Sequence, residues 1–134
     1  MRPEDVLTPT PAGLYCPPGD FHVDPTRAVP RALITHGHAD HARAGHGSVL
    51  ATRETLAIMA TRYGKNFAAT TQTATLGETI GIGDAEVSFH PAGHVLGSAQ
   101  IAVSARGLKI VASGDYKRRP DPTCRGFEPV PCHV

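Results

Sequence analysis

Long apolar runs are missing from this chain of 134 residues. Its apolar stretches fall far short of the ~20 residues a membrane-spanning helix needs, so no membrane partner is expected. The opening Met1-Arg2-Pro3-Glu4-Asp5 lacks the apolar core of a secretory leader. Cysteine is scarce. Cys16, Cys124 and Cys132 are odd in number and show no C-x-x-C spacing, which argues against a disulfide framework and fits a reducing, cytoplasmic setting. Neither sign of charge dominates. A net charge of +1 gives the whole molecule no attraction to nucleic acid, so any basic surface must be local. A Walker-type phosphate loop, a serine nucleophile elbow, internal repeats and low-complexity tracts are all absent.

What remains is the composition of a small globular domain, 40% hydrophobic and 19% charged, with enough length for a real core. Fourteen glycines and twelve prolines imply short elements and many turns. Strands are expected at Gly13 to Cys16, Phe21 to Asp24, Arg31 to Thr35 and Val49 to Thr52. Leu56, Met59, Ala60 and Tyr63 recur at i, i+3, i+4, i+7 and predict a helix over Arg53 to Tyr63, capped by Thr52 and stopped by Gly64. Met59 reads as core. Further strands are expected at Ala85 to Phe89, Ala99 to Ser104 and Leu108 to Ala112, the last two forming a hairpin around Arg106-Gly107.

The chemistry concentrates in Thr35-His36-Gly37-His38-Ala39-Asp40-His41, directly after the apolar run Ala32-Leu33-Ile34. Imidazoles and carboxylates are good ligands for zinc and similar ions at neutral pH. His36 and His38 can turn toward one metal, and Asp40 and His41 toward a second. Metals roughly 3.5–4 Å apart are a standard device for hydrolysing phosphate esters. His94, flanked by Gly93 and Gly97, lies between two strands, where glycine allows close approach to a metal. Asp115 ends an apolar strand after Ser113-Gly114 and can bridge two cations, one oxygen to each. His36, His38, His94 and Asp115 make a good first site. Asp40, His41 and Asp115 make an incomplete second one. Catalytic roles are assigned to Asp40, His41 and Asp115. Lys117, Arg118 and Arg119 follow Asp115 directly and are either a solvated face or candidates for substrate phosphates. His22 is read as structural or surface, His46 as solvent-exposed, and His90 as pointing either way.

The order H-x-H-x-D-H, then a Gly-flanked histidine, then Ser-Gly-Asp resembles the metallo-β-lactamase superfamily. Pro-Ala-Gly-His-Val-Leu-Gly-Ser-Ala and Ser-Gly-Asp-Tyr-Lys-Arg are similar to its β-CASP nuclease branch. The opening Gly-Leu-Tyr-Cys-Pro-Pro-Gly-Asp-Phe-His-Val-Asp-Pro resembles bacterial ligase-associated DNA exonucleases, often named mRNA 3′-end processing factors. The resemblance implies an α/β fold: the N-terminal part of an αββα sandwich, with mixed and antiparallel strands and few helices. It implies in-line phosphodiester hydrolysis of DNA or RNA, with up to two zinc ions in the full family site and one held firmly here; manganese is an alternative. It also implies a functional link to a DNA ligase and a helicase. Asp24 matches an early aspartate that supports the metal loop without binding metal. Family members continue past this point into a cap domain and later histidines, so residues 1–134 are expected to be a partial domain, weakly active or inactive alone, with uncovered apolar faces and an unpaired sheet edge. Two alternatives stand beside the nuclease reading: a thioester or lactone hydrolase of the same superfamily, and a non-enzymatic metal-binding fragment.

Overall fold

The computed structural model describes residues 2–134 and is α/β, with ten strands in two sheets and one α-helix. After a 3-10 turn at Pro3–Asp5, the first sheet runs in chain order. It comprises β1 (Thr8–Thr10), β2 (Gly13–Cys16), β3 (Phe21–Val23), β4 (Arg31–Leu33), β5 (His46–Ala51) and β6 (Ala68–Thr73). Pairing is antiparallel from β1 to β3 and parallel from β3 to β6. The second sheet is wholly antiparallel, in the order β10 (Leu108–Ala112), β9 (Ala99–Ala105), β8 (Ala85–Pro91), β7 (Thr79–Ile82). Helix α1 (Arg53–Tyr63) connects β5 to β6, as a parallel pair requires.

Two cores result. Alternation along β8 sends Ala85, Val87 and Phe89 inward, where they meet Ile101, Val103, Phe21, Val23 and Leu33 between the sheets. On the other face of the first sheet, Ala32, Ile34, Val49 and Ala51 pack against Met59 of α1. The helix spans the predicted residues. Thr52 Oγ1 accepts the Thr55 N–H at its start, and Gly64 closes its end at φ +91°. Its stripe is displaced, however: Thr55 is fully buried, while Tyr63 is exposed at its ring and donates its hydroxyl to Ala42 O (2.8 Å). Arg106 and Gly107 both take positive φ, as a two-residue hairpin turn demands.

The structure corrects one histidine and adds strands. His46 is buried, because it opens β5 and its Nδ1 accepts the Val29 N–H at 3.2 Å. Strands β1 and β6 are additions that no apolar pattern announces, and β7 adds the short alternation Ile80 and Ile82 to the strand-rich region after Thr73. β6 is exposed at five of its six positions and exists through pairing with β5, not through burial. Among the described residues the large exposed hydrophobics are Tyr63, Leu96, Tyr116 and Val134. The final segment docks on the second sheet, with Gln100 Nε2 donating to Glu128 O (2.8 Å) and the His133 N–H to Lys109 O (2.8 Å). No helix among the described residues is long and apolar enough to cross a membrane.

Candidate metal centre

Four loops leave the carboxyl ends of β3, β4, β8 and β10, and all four deliver polar side chains to one end of the sandwich. They carry Asp24, His36 to His41, His94 and Asp115 respectively. Thr35 O accepts the Ala99 N–H (2.8 Å), joining the two sheets at this end. Gly114, at φ +56°, lets the Asp115 loop lie against Thr35: a Cβ there would fall 2.7 Å from Thr35 Oγ1. Ser98 Oγ braces the other loop by accepting the N–H groups of His94 (3.0 Å) and Val95 (3.1 Å).

One atom of each of His36, His38, His94 and Asp115 falls within 4.8 Å of the others, a group able to hold a metal ion. His38 Nδ1 and His94 Nε2 are 3.2 Å apart, and Asp115 Oδ2 is 3.6 Å from His36 Nε2 and 3.7 Å from His94 Nε2. Distances of 3.6–3.7 Å are too long for hydrogen bonds. They suit ligands around a small four-coordinate ion, where bonds of 2.0–2.2 Å give edges of roughly 3.3–3.6 Å. His41 Nε2 lies beside this group, 3.7 Å from Asp115 Oδ2 and 3.6 Å from Asp40 Oδ2. The same Asp115 oxygen, Oδ2, faces His36, His41 and His94.

Hydrogen bonds behind the cluster fix the imidazole tautomers. Asp24 Oδ1 accepts the Thr35 N–H (2.8 Å), while Oδ2 accepts the Thr35 hydroxyl (2.6 Å) and His41 Nδ1–H (2.7 Å). With its only proton given to Asp24, the Thr35 hydroxyl must accept from His36 Nδ1–H at 2.9 Å. In their neutral forms both rings are thereby left with a bare Nε2 lone pair on the Asp115 side. His36 is fully buried and its Nε2 has no hydrogen-bond partner. A buried lone pair facing a carboxylate oxygen is two acceptors opposed, an arrangement that a cation between them relieves. Burial, with help from neighbouring His41, holds the His36 imidazole down at about 4, so it stays neutral. The hydrogen bond to Asp24 raises His41 above the ordinary histidine value.

Asp24, His36 and His41 form a second group of metal-capable atoms. The three hydrogen bonds into Asp24 occupy its carboxylate and give it an orienting place instead. Lys117 is drawn into an ion pair with Asp121 (2.8 Å), whereas Arg118 and Arg119 are exposed. Cys16 is buried, and burial pushes its thiol up, in keeping with a structural residue. The cluster borders a cavity of about 450 Å³ lined by Asp24, Thr35, Asp40, His41 and Asp115. A groove of about 730 Å³ lies elsewhere, between α1 and Leu96. Sequence reasoning missed Thr35, although its place before His36 was visible. It also missed the ties from α1 to the histidine loops, which link residues far apart in the chain.

No family model matches the chain. It is 31% identical over 122 residues to a probable DNA ligase of Opitutus terrae, a match covering 90% of this chain and 11% of that protein. It is 40% identical over 50 residues to endoribonuclease ysh1 of Emericella nidulans, covering 37% of this chain and 6% of that one. The chain thus spans only a small part of the length of these relatives. A solved protein of unknown function from Enterococcus faecalis shares the fold, with a TM-score of 0.56 at 18% identity over 66% of this chain and 25% of that one. At the coarse level of the superfamily, the sequence matches support the metallo-β-lactamase resemblance carried by the motifs.

Proposed function

We propose that this chain carries the metal centre of a metal-dependent phosphodiester hydrolase that acts on nucleic acid. The observation that carries the reading is the convergence of His36, His38, His94 and Asp115, with His41 sharing Asp115 Oδ2 from the side. The donor set and its spacing fit zinc. His36, His38, His94 and Asp115 would hold one ion firmly; Asp40, His41 and Asp115 offer a weaker second position. When bound, such ions supply a water acidic enough to attack at neutral pH and stabilise charge on phosphate oxygens.

The residues do the rest. Asp24 holds His41 and, through Thr35, His36, so that both Nε2 atoms point inward without side-chain rearrangement. Burial keeps the proton off His36, leaving its nitrogen free to coordinate at neutral pH. Arg118 and Arg119, exposed just after Asp115, would meet phosphates of the strand, while Lys117 is partly neutralised by Asp121. The half-exposed Tyr116 ring, tilted against Phe127 with centroids 5.4 Å apart, would offer a face to a base. The names of the two sequence relatives, a DNA ligase and an endoribonuclease, favour DNA or RNA over a thioester or lactone.

The test compares the chain alone with the chain joined to the segment that follows the matched region in a nuclease relative. Labelled DNA and RNA oligonucleotides and a thioester are offered to each. The joined protein is expected to cleave an oligonucleotide in a metal-dependent way, with Asp115→Ala reducing the rate at least about a thousandfold, some 4 kcal/mol of barrier. The chain alone is expected to show no turnover above a metal-free control, because positioning groups contribute several kcal/mol. Full activity in Asp115→Ala would refute the site, and preferential thioester cleavage would refute the substrate class.

A further inference from the structure

Helix α1 touches both histidine loops, one near each of its ends. At its start, the Thr52 hydroxyl donates to Gly97 O (2.7 Å), with Thr55 Oγ1 3.3 Å from the same oxygen. Gly97 is three residues past His94. The contact is close enough that a Cβ on Gly97 would meet Glu54 Cβ at 2.7 Å and Thr52 Oγ1 at 2.8 Å. Toward its far end, Arg62 Nη1 donates to Gly37 O (2.5 Å), the carbonyl between His36 and His38. Ile58 fills the space beside it, where a Cβ on Gly37 would fall 2.8 Å from Ile58 Cγ2. The Tyr63 hydroxyl takes the Ala42 carbonyl just after His41 (2.8 Å). The helix itself is anchored, since Thr55 and Met59 are fully buried and Met59 packs with Ile34, Val49 and Ala51 of the first sheet.

We propose that α1 is the strut that sets the spacing of the two histidine loops, with Arg62 and Thr52 as its positioning residues. The gap it controls is the 3.2 Å between His38 Nδ1 and His94 Nε2, contributed by loops 56 residues apart in the chain. The sheets alone fix where each loop begins. Bonds to Gly37 O and Gly97 O fix how far each loop leans over the cluster, and both are made by one rigid element about 15 Å long between Thr52 and Arg62. A ligand set held this way is preorganised, so metal binding need not order the loops. Arg62 and Thr52 touch no ligand atom; they act through the backbone that carries the ligands. The proposal rests on the metal-centre reading above.

The experiment titrates the whole chain with zinc and cobalt(II), recording the visible bands of the cobalt form and the melting temperature of the metal-free form. Arg62→Met keeps the side chain's bulk and removes its donors. Thr52→Val does the same at the other end, and Thr52→Ser keeps the hydroxyl. Arg53→Met is the control, on the same helix at the groove beside Leu96. Arg62→Met and Thr52→Val are expected to weaken both metals by roughly 10–100-fold, the range for residues that orient ligands, and to shift the cobalt bands. Thr52→Ser and Arg53→Met should bind as the parent chain does. The metal-free melting temperature of Arg62→Met should stay near that of Arg53→Met. Affinities within twofold of the parent in both Arg62→Met and Thr52→Val would overturn the strut alone, as would a loss equalled by Arg53→Met. A parent chain that takes up neither metal would overturn the centre and the strut together.

Discussion

Asp24 sits in the left-handed region at φ +47°, and its two oxygens accept three hydrogen bonds from Thr35 and His41. Removing the carboxylate leaves a buried hydroxyl, a backbone N–H and an imidazole to find other partners. Asp24→Ala should therefore cost about 1–3 kcal/mol of stability and weaken metal binding roughly 10–100-fold. Chemical denaturation and metal titration of the same preparation check this, and an unchanged metal affinity would deny Asp24 its orienting role. This residue also marks how far the sequence could be read. Asp24 was legible only through family resemblance, because Asp-Pro is equally an ordinary turn. Thr35 was not legible at all: its role depends on the tautomer of His36, which depends in turn on where the Thr35 proton goes. His36, His38, His94 and Asp115 were legible because each ends a strand or sits among glycines, and strand ends on one side of a sandwich must come together. His46 was misread because its burial is decided by the Val29 N–H, 17 residues away.

The two cluster histidines titrate with opposite signs. His36 has a folded value of about 4 against 6.5 when exposed. The metal-free fold therefore has its full contribution from His36 above pH 6.5 and loses it as pH falls toward 4, on the order of 3 kcal/mol. His41 is raised, so its contribution is fully present below 6.5 and is lost as pH rises through the folded value. Melting curves of chelator-treated protein should show an acid limb between 6.5 and 4 that flattens in His36→Gln. An unaltered limb in that variant would mean that burial of this imidazole is not what acid attacks.

At the scale of elements, the loop after β10 depends on one close approach. Gly114 holds φ +56°, and Thr35 stands where its Cβ would be. Gly114→Ala combines the left-handed penalty of about 1–2 kcal/mol with a steric clash, so it should lower stability by at least that amount and displace Asp115. Thermal denaturation with metal titration reads both; an alanine variant with parental stability and affinity would show that the loop is free to relax. Helix α1 was predicted from its apolar period and bounded by its caps, signals that are local. Strands β1, β6 and β7 were not, because short or Thr-rich segments such as Ala68–Thr73 take strand form only once a neighbour supplies hydrogen-bond partners.

For the whole molecule, the two cores and the docked final segment account for the small number of large exposed hydrophobics, and the mixed first sheet with its antiparallel partner was foreseen as a class. What the class alone could not say is whether four loops would meet with ligand spacing. The measurement that bears on this most directly is the zinc content of purified protein at equilibrium with buffered metal, by elemental analysis, for the parent chain and His36→Ala. A single complete site beside a weaker one predicts nearer one than two zinc ions per chain, and almost none in His36→Ala. Zinc retained by His36→Ala, or none in the parent chain, would contradict the assignment of this cluster as a metal centre.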